Sequence, residues 1–361
     1  MRLLNNYFIK TYLISIIQIS VVSATLIFLI DLVEISRKFD EITNFAFYEL
    51  LKLSAYKLPS TFKDVSPIII IIGTLACLFK LSKNSEIIIS NAIGISIWQI
   101  LLPFAICAVL FGLTIVTILS PISIQMKNNF IQLEKNIKGN NIPVNHNLDN
   151  EFWSSQQNNM GELIINADQI DFDTLDLIGV TIIQFNNKMD FVERYDSASA
   201  YMDDGQWYLE KAWITDKDNI SKFIGKTKIN TNSDEIFLQE AILKNSTQSI
   251  WTILDTITKL KKNNISYAKH LTDLNFYIAL PFLMGGLVMV SVCFMVKQFR
   301  IQHSLIMLIL GVISGMLIFV VNYISYILSE SEIFNPILGA WWHIILIYLI
   351  ATKILILRED G

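Results

Sequence analysis

The chain has 361 residues, 53% hydrophobic and 17% charged, with a mean hydropathy of +0.47. Soluble domains run nearer about 45–50% apolar and about 25% charged, which excludes a wholly water-soluble protein. The net charge of −4 is small and argues against nucleic acid as the main partner.

The apolar excess sits in blocks at each end, while residues 124–270 have the composition of an ordinary soluble domain. A bilayer-spanning helix needs roughly 20 predominantly apolar residues. Six stretches meet or approach that length: 8–30, 62–80, 95–120, 272–296, 304–328 and 334–357. The first carries small residues at Val22-Ser23-Ala24, but its run exceeds the roughly 7–15 residues of a secretion signal's core, so it reads as a retained helix. The second is the weakest by hydropathy. Its dense part spans residues 67–79, and Pro59 and Pro67 should bend it. Backbone groups that proline frees in a bilayer must be satisfied by neighbours, so this helix belongs inside a bundle.

Loop charges set the orientation. Arg2 and Lys10, Lys80 and Lys83, Lys297 and Arg300, and Lys353 and Arg358 fall on one side if both termini are cytoplasmic. The opposite loop before the sixth span carries Glu330 and Glu332 and no cation. Arg37 and Lys38 break the trend but are offset by Glu34, Asp40 and Glu41. The central region then lies across the membrane from the termini.

Cys77, Cys107 and Cys293 all fall in apolar runs and read as small buried hydrophobes, leaving the central domain without a disulfide. His146, His270, His303 and His343 have no metal-ligand spacing, and no metal or other cofactor is expected.

Within the central region, residues 162–166, 177–185, 191–202 and 206–214 are rich in β-branched and aromatic side chains. The turn signals Asn186-Asn187 and Asp203-Asp204-Gly205 separate them. No long helical segment intervenes, so a sandwich or jelly roll fits better than a parallel α/β unit. Trp207 and Trp213 read as core. Residues 250–262 have helical spacing and should lead back to the fourth span. Gly225-Lys226-Thr227 mimics the end of a phosphate loop, but Ile220 stands where that loop needs glycine.

No complete nucleophile, zinc, phosphate-loop or paired-carboxylate motif is present, which points to a non-catalytic transport component, receptor or assembly factor. The apolar cores are nearly free of the ionisable residues that secondary transporters place at mid-membrane. Asp31, Glu34 and Asp273 sit at span ends, so an external ATPase is the expected energy source.

That focuses interest on residues 80–98, between the second and third spans. Ser82 or Asn84 can cap a short helix of about residues 82–94, with Ser85 and Glu86 in its first turn. The Ile87-Ile88-Ile89 run gives it an apolar face, and Gly94 stops it. Such a helix fits a groove on a cytoplasmic motor. It fits equally a plain connector on lipid headgroups, in which Glu86 only caps, and composition leaves both open.

At this point the residues resemble a family. Asn84-Ser85-Glu86-Ile87-Ile88-Ile89 followed by Ala92-Ile93-Gly94 is similar to the coupling-helix signature of the YjgP/YjgQ permeases, the LptF/LptG membrane subunits of the lipopolysaccharide export ABC transporter. Pro67, Gly73, Pro281 and the run Asn335-Pro336-Ile337-Leu338-Gly339-Ala340 also stand where that family has them, and the likeness covers essentially the whole chain. The second span and the Ser-Glu segment look more like LptG than LptF.

The resemblance implies six transmembrane helices in a 3+3 arrangement with an inserted periplasmic β-jelly-roll domain, and boundaries of 1–123, 124–270 and 271–361. It implies an inner-membrane location, a cytoplasmic ATPase dimer (LptB-like) and a paralogous permease subunit (LptF-like). It also implies a single-helix partner (LptC-like), a periplasmic bridge (LptA-like), and lipopolysaccharide, a membrane lipid, as cargo. Ser85, Glu86, Ile87, Asn91 and Gly94 would couple to the ATPase. Family members can carry a lysine for lipid phosphates where this chain has Asp31, so Arg37 and Lys38 are the nearest lipid-binding substitutes.

Two other readings remain at this stage. A permease for another lipid or a lipoprotein-release system would usually place its outer domain after the first helix. A membrane receptor with a sensing domain would need a cytoplasmic output domain.

Overall fold

The computed structural model describes residues 2–39, 47–138, 152–158, 161–170, 176–186, 190–203, 206–216, 220–231, 248–262, 266–295 and 304–359. Lys297, Arg300, His146, His303 and the turn residues Asn187, Asp204 and Gly205 lie outside them. The chain divides into two compact units. One comprises Met1–Ile142, Gln248–Ile257 and Ala268–Gly361, the other Pro143–Thr247 and Thr258–Tyr267.

Six helices among the described residues are long and apolar enough to cross a membrane. The first is α1 (Arg2–Phe39), followed by α2 (Phe47–Lys83) and the short α3 (Glu86–Ala92). The third span is α4 (Ile97–Thr114), which passes through a π-helical turn (Ile115–Leu119) into α5 (Ser120–Lys138). After the β-strands come the short α6 (Ile253–Lys262) and the last three spans, α7 (Ala268–Met295), α8 (Ser304–Glu330) and α9 (Pro336–Glu359).

The weak second span proves to be central. It runs unbroken through Pro59 and Pro67 and buries Ile69, Ile70, Ile71, Leu75, Leu78 and Leu81. Pro67 cannot bond to the Lys63 carbonyl four residues back, and the Ser66 hydroxyl donates to that oxygen instead, at 2.6 Å. Close helix crossings use small residues. A Cβ on Gly112 of α4 would stand 2.7 Å from the Pro281 Cα of α7. Gly311 and Gly315 of α8 make a notch into which Leu75 and Ile71 of α2 insert.

The third span runs farther than its hydropathy predicts, on to Lys138 rather than stopping near residue 120. Phe130, Leu133 and Ile137 recur at helical spacing and pack against Ile35 and Phe39 of α1 and Leu50 and Leu53 of α2. The π-helical turn disturbs the regular ladder, and the Trp251 indole donates to the Thr117 carbonyl there, at 3.1 Å. The Tyr277 hydroxyl donates to the Gln248 carbonyl at 3.2 Å, so the segment entering α6 is held at two points.

In the other unit six strands form one antiparallel sheet in sequence order: β1 (Phe152–Asn158), β2 (Gly161–Ile170), β3 (Leu177–Asn186), β4 (Phe191–Asp203), β5 (Gln206–Asp216) and β6 (Ser221–Asn230). The sequence marks β2 to β5; β1 and β6, rich in Gln, Ser and Lys, carry weaker patterns. Alternate residues Leu163, Ile165 and Ala167, then Val180 and Ile182, then Trp207 and Leu209, build its buried core. Trp207 is wholly buried, and its indole donates to Gln156 at 3.0 Å. Trp213 departs from expectation: it is 49% exposed and lies against Phe223 on the outer face. A β-bulge between Leu209 and Ala212, with Lys211 at φ 55, shifts the in–out alternation by one residue, so Ala212 turns inward and Trp213 outward. Gly225, Lys226 and Thr227 lie within β6, which is no phosphate loop.

Candidate functional site

The segment after α2 reverses direction in two residues. The Ser85 amide bonds to the Ser82 carbonyl at 2.9 Å, and Ser85 takes the left-handed conformation at φ 59. Ser82 therefore ends α2, buried, rather than capping the next helix. Ser85 occupies the cap position of α3 instead, its carbonyl accepting from the Ile89 amide at 3.0 Å. At the far end Gly94 has φ 86, and the Ile95 amide bonds back to the Ser90 carbonyl at 3.1 Å, closing a Schellman-type stop. No atom lies within 4 Å of where a Gly94 Cβ would be, so the backbone conformation and not crowding calls for glycine.

On this seven-residue helix and at the position just after it the isoleucines divide. Ile87 is buried in the core of the bundle, while Ile88, Ile89 and Ile93 are 41%, 55% and 72% exposed. The Glu86 carboxylate is held from two sides through one oxygen. The Asn84 amide donates to Oε1 at 3.0 Å, and the Tyr7 hydroxyl of α1 donates to the same atom at 3.1 Å. Glu86 Oε2 is buried with no hydrogen-bond partner. Ser85, Glu86, Ile87 and Gly94 thus share one short helix and its ends; the Asn91 side chain lies outside the described residues.

Arg37 and Lys38 lie in the last turn of α1 and not in a loop. The structure separates their roles. Lys38 Nζ pairs with Glu134 of α5 at 3.0 Å, whereas Arg37 is exposed and has no ion pair among the described residues. One and two turns earlier lies a group the sequence reading missed. Lys57 of α2 reaches Asp31 Oδ1 at 2.9 Å and Glu34 Oε2 at 2.8 Å. The cation at the height of Asp31 therefore comes from the second helix. Asp31 and Glu34 at i and i+3 share a helix face, the available signal that a cation from elsewhere must meet them.

A cavity of about 440 Å³ opens between α7, α8 and α9, lined by residues such as Val290, Leu317, Val321, Leu346 and Ile350. No carboxylate, ammonium or guanidinium group lines it, so it suits hydrocarbon. Polar bonds tie α8 to α9 beside it: His343 Nε2 lies 3.0 Å from Asn322 Oδ1, and the Trp342 indole donates to Ser325 at 3.1 Å.

Six apolar spans, an antiparallel β-unit between the third and fourth, and a short helix between the second and third define a multi-pass membrane protein. Residues 6–358 match the family described as lipopolysaccharide export system permease LptF/LptG, and the chain belongs to that family. No individual curated protein matches it at a significant level. The family is one of inner-membrane transport subunits for lipopolysaccharide and not a catalytic one.

Proposed function

We propose that this chain is a non-catalytic permease subunit, more like LptG than LptF, of an ABC transporter that extracts lipopolysaccharide from the inner membrane and passes it to a periplasmic bridge. The observation that carries this reading is α3, set between two left-handed residues with three exposed isoleucines and a half-satisfied carboxylate. Exposed isoleucines suit an apolar groove as well as a lipid surface, and the unpartnered carboxylate oxygen of Glu86 beside them favours a protein partner that brings a cation. Glu86, with Ser85, Ile87, Asn91 and Gly94 setting its place, meets a cation of a cytoplasmic ATPase dimer.

In this reading both termini are cytoplasmic, the β-unit is a periplasmic jelly roll, and a paralogous permease subunit closes the path. A single-helix partner and a periplasmic bridge protein complete the route. Arg37 faces the anionic headgroup, with Lys38 supporting it through its tie to Glu134. The cavity between α7, α8 and α9 suits acyl chains.

Purification from bacterial membranes in mild detergent tests the proposal. Mass spectrometry should find a nucleotide-binding ATPase and a second permease chain at near-equal amounts, with bound lipopolysaccharide. A chain that emerges alone, or with a partner lacking any nucleotide site, contradicts it.

A further inference from the structure

We infer that Tyr7 is a positioning residue that ties the coupling helix to α1 through Glu86, making α1 the lever that carries ATPase movement to the outer end of the bundle. The inference rests on the coupling reading above and adds the route by which the signal leaves α3.

α1 suits a lever. Its 38 residues contain neither glycine nor proline, whereas α2, α4, α7, α8 and α9 each contain one or both. At 1.5 Å per residue it extends roughly 57 Å, more than a bilayer's hydrocarbon thickness. Its inner half is fixed on one side. Tyr12 stacks on Phe104 with centroids 4.6 Å apart and its hydroxyl lies 3.1 Å from Thr74, while Ile16 lies against Gly73. Its outer half leaves Val21, Leu26, Ile30 and Val33 at least half exposed and ends in the Lys57 ion pairs and Arg37.

α3 is attached differently. Left-handed residues at Ser85 and Gly94 flank it, backbone conformations suited to pivoting. Besides the buried Ile87, two bonds to Glu86 resist such a pivot, one from Asn84 across Ser85 and one from Tyr7, which ties α3 to α1. A carboxylate accepts through both oxygens. Tyr7 and Asn84 use Oε1, and Oε2 is buried without a partner, so an ATPase cation that reaches Oε2 as α3 shifts on docking need not displace Tyr7. A docked ATPase that swings α3 then pulls on α1 through one hydrogen bond.

The test uses the whole transporter in proteoliposomes and measures lipopolysaccharide released per ATP hydrolysed. Tyr7→Phe removes only a half-exposed hydroxyl. It is expected to leave the ATPase bound and to lower the release ratio about fivefold or more, the scale of one hydrogen bond to a charged group at an exposed site. Glu86→Gln should lower it too, and the double variant should be no worse than Glu86→Gln alone. An unchanged ratio in Tyr7→Phe, or multiplying effects in the double variant, overturns the inference. If Glu86→Lys also keeps the ATPase bound, the coupling reading itself has failed; if only Tyr7→Phe is silent, the route through α1 alone has failed.

Discussion

Replacing Lys57 by methionine is expected to destabilise the membrane unit by about 2–4 kcal/mol, seen as a lower unfolding temperature in detergent. The Asp31 side chain is 5% exposed, and its Oδ2 has no hydrogen-bond partner, so Lys57 provides its compensation at Oδ1. Removing one partner of a buried ion pair costs about 3–5 kcal/mol because the other charge remains buried. The lower figure applies because 32% of the Lys57 side chain meets solvent. The reverse change should be mild. Asp31→Asn leaves Lys57 paired with Glu34 at 2.8 Å and removes the buried charge, so it should cost about 1 kcal/mol or less. Combining Asp31→Asn with Lys57→Met should recover most of the lost stability. Wild-type unfolding of Lys57→Met, or no rescue by Asp31→Asn, would show that Asp31 is compensated elsewhere.

Glu86→Lys is expected to release the ATPase while the protein stays inserted. Two roles compete for this residue, and their magnitudes differ. A carboxylate at the start of a short helix contributes about 0.3–1 kcal/mol through the helix dipole. Its bonds from Tyr7 and Asn84 are at an exposed site and add little more. A desolvated charge pair across an interface costs about 2–5 kcal/mol when one partner is removed, weakening binding at least about 30-fold. Reversing the charge adds repulsion, so lysine should be worse than alanine. Because ATP is cytoplasmic, this loss would also establish the side on which α3 lies. Retention of the ATPase by Glu86→Lys, with normal transport, returns α3 to a connector.

Much of the fold was legible because a bilayer imposes length and composition on each helix. The spans could be found from hydropathy, and β2 to β5 from their β-branched and aromatic residues. What escaped notice depended on pairs far apart in sequence. Lys57 sits before Pro59, outside the 62–80 stretch that hydropathy marks, and its meaning appears only beside Asp31. No local pattern marks Tyr7, whose hydroxyl lies 3.1 Å from a residue 79 positions away. The end of the third span was misjudged for a similar reason. Phe130, Leu133 and Ile137 form a stripe too narrow for a hydropathy window but wide enough to pack on α1 and α2. Between the second and third spans the short helix was legible, but the parts its flanking residues play were not. Ser82 closes the helix before, and Ser85 rather than Asn84 stands at the cap, a left-handed position that local composition does not announce.

The most direct measurement is ATP-driven removal of lipopolysaccharide from proteoliposomes containing this chain with the proposed ATPase, paralogous and single-helix partners, and a soluble bridge protein as acceptor. Labelled lipopolysaccharide should appear on the acceptor only with hydrolysable ATP, and omitting this chain should abolish the transfer. Transfer at the same rate without this chain, or ATP hydrolysis with no lipid moved by the complete assembly, would contradict the proposed function.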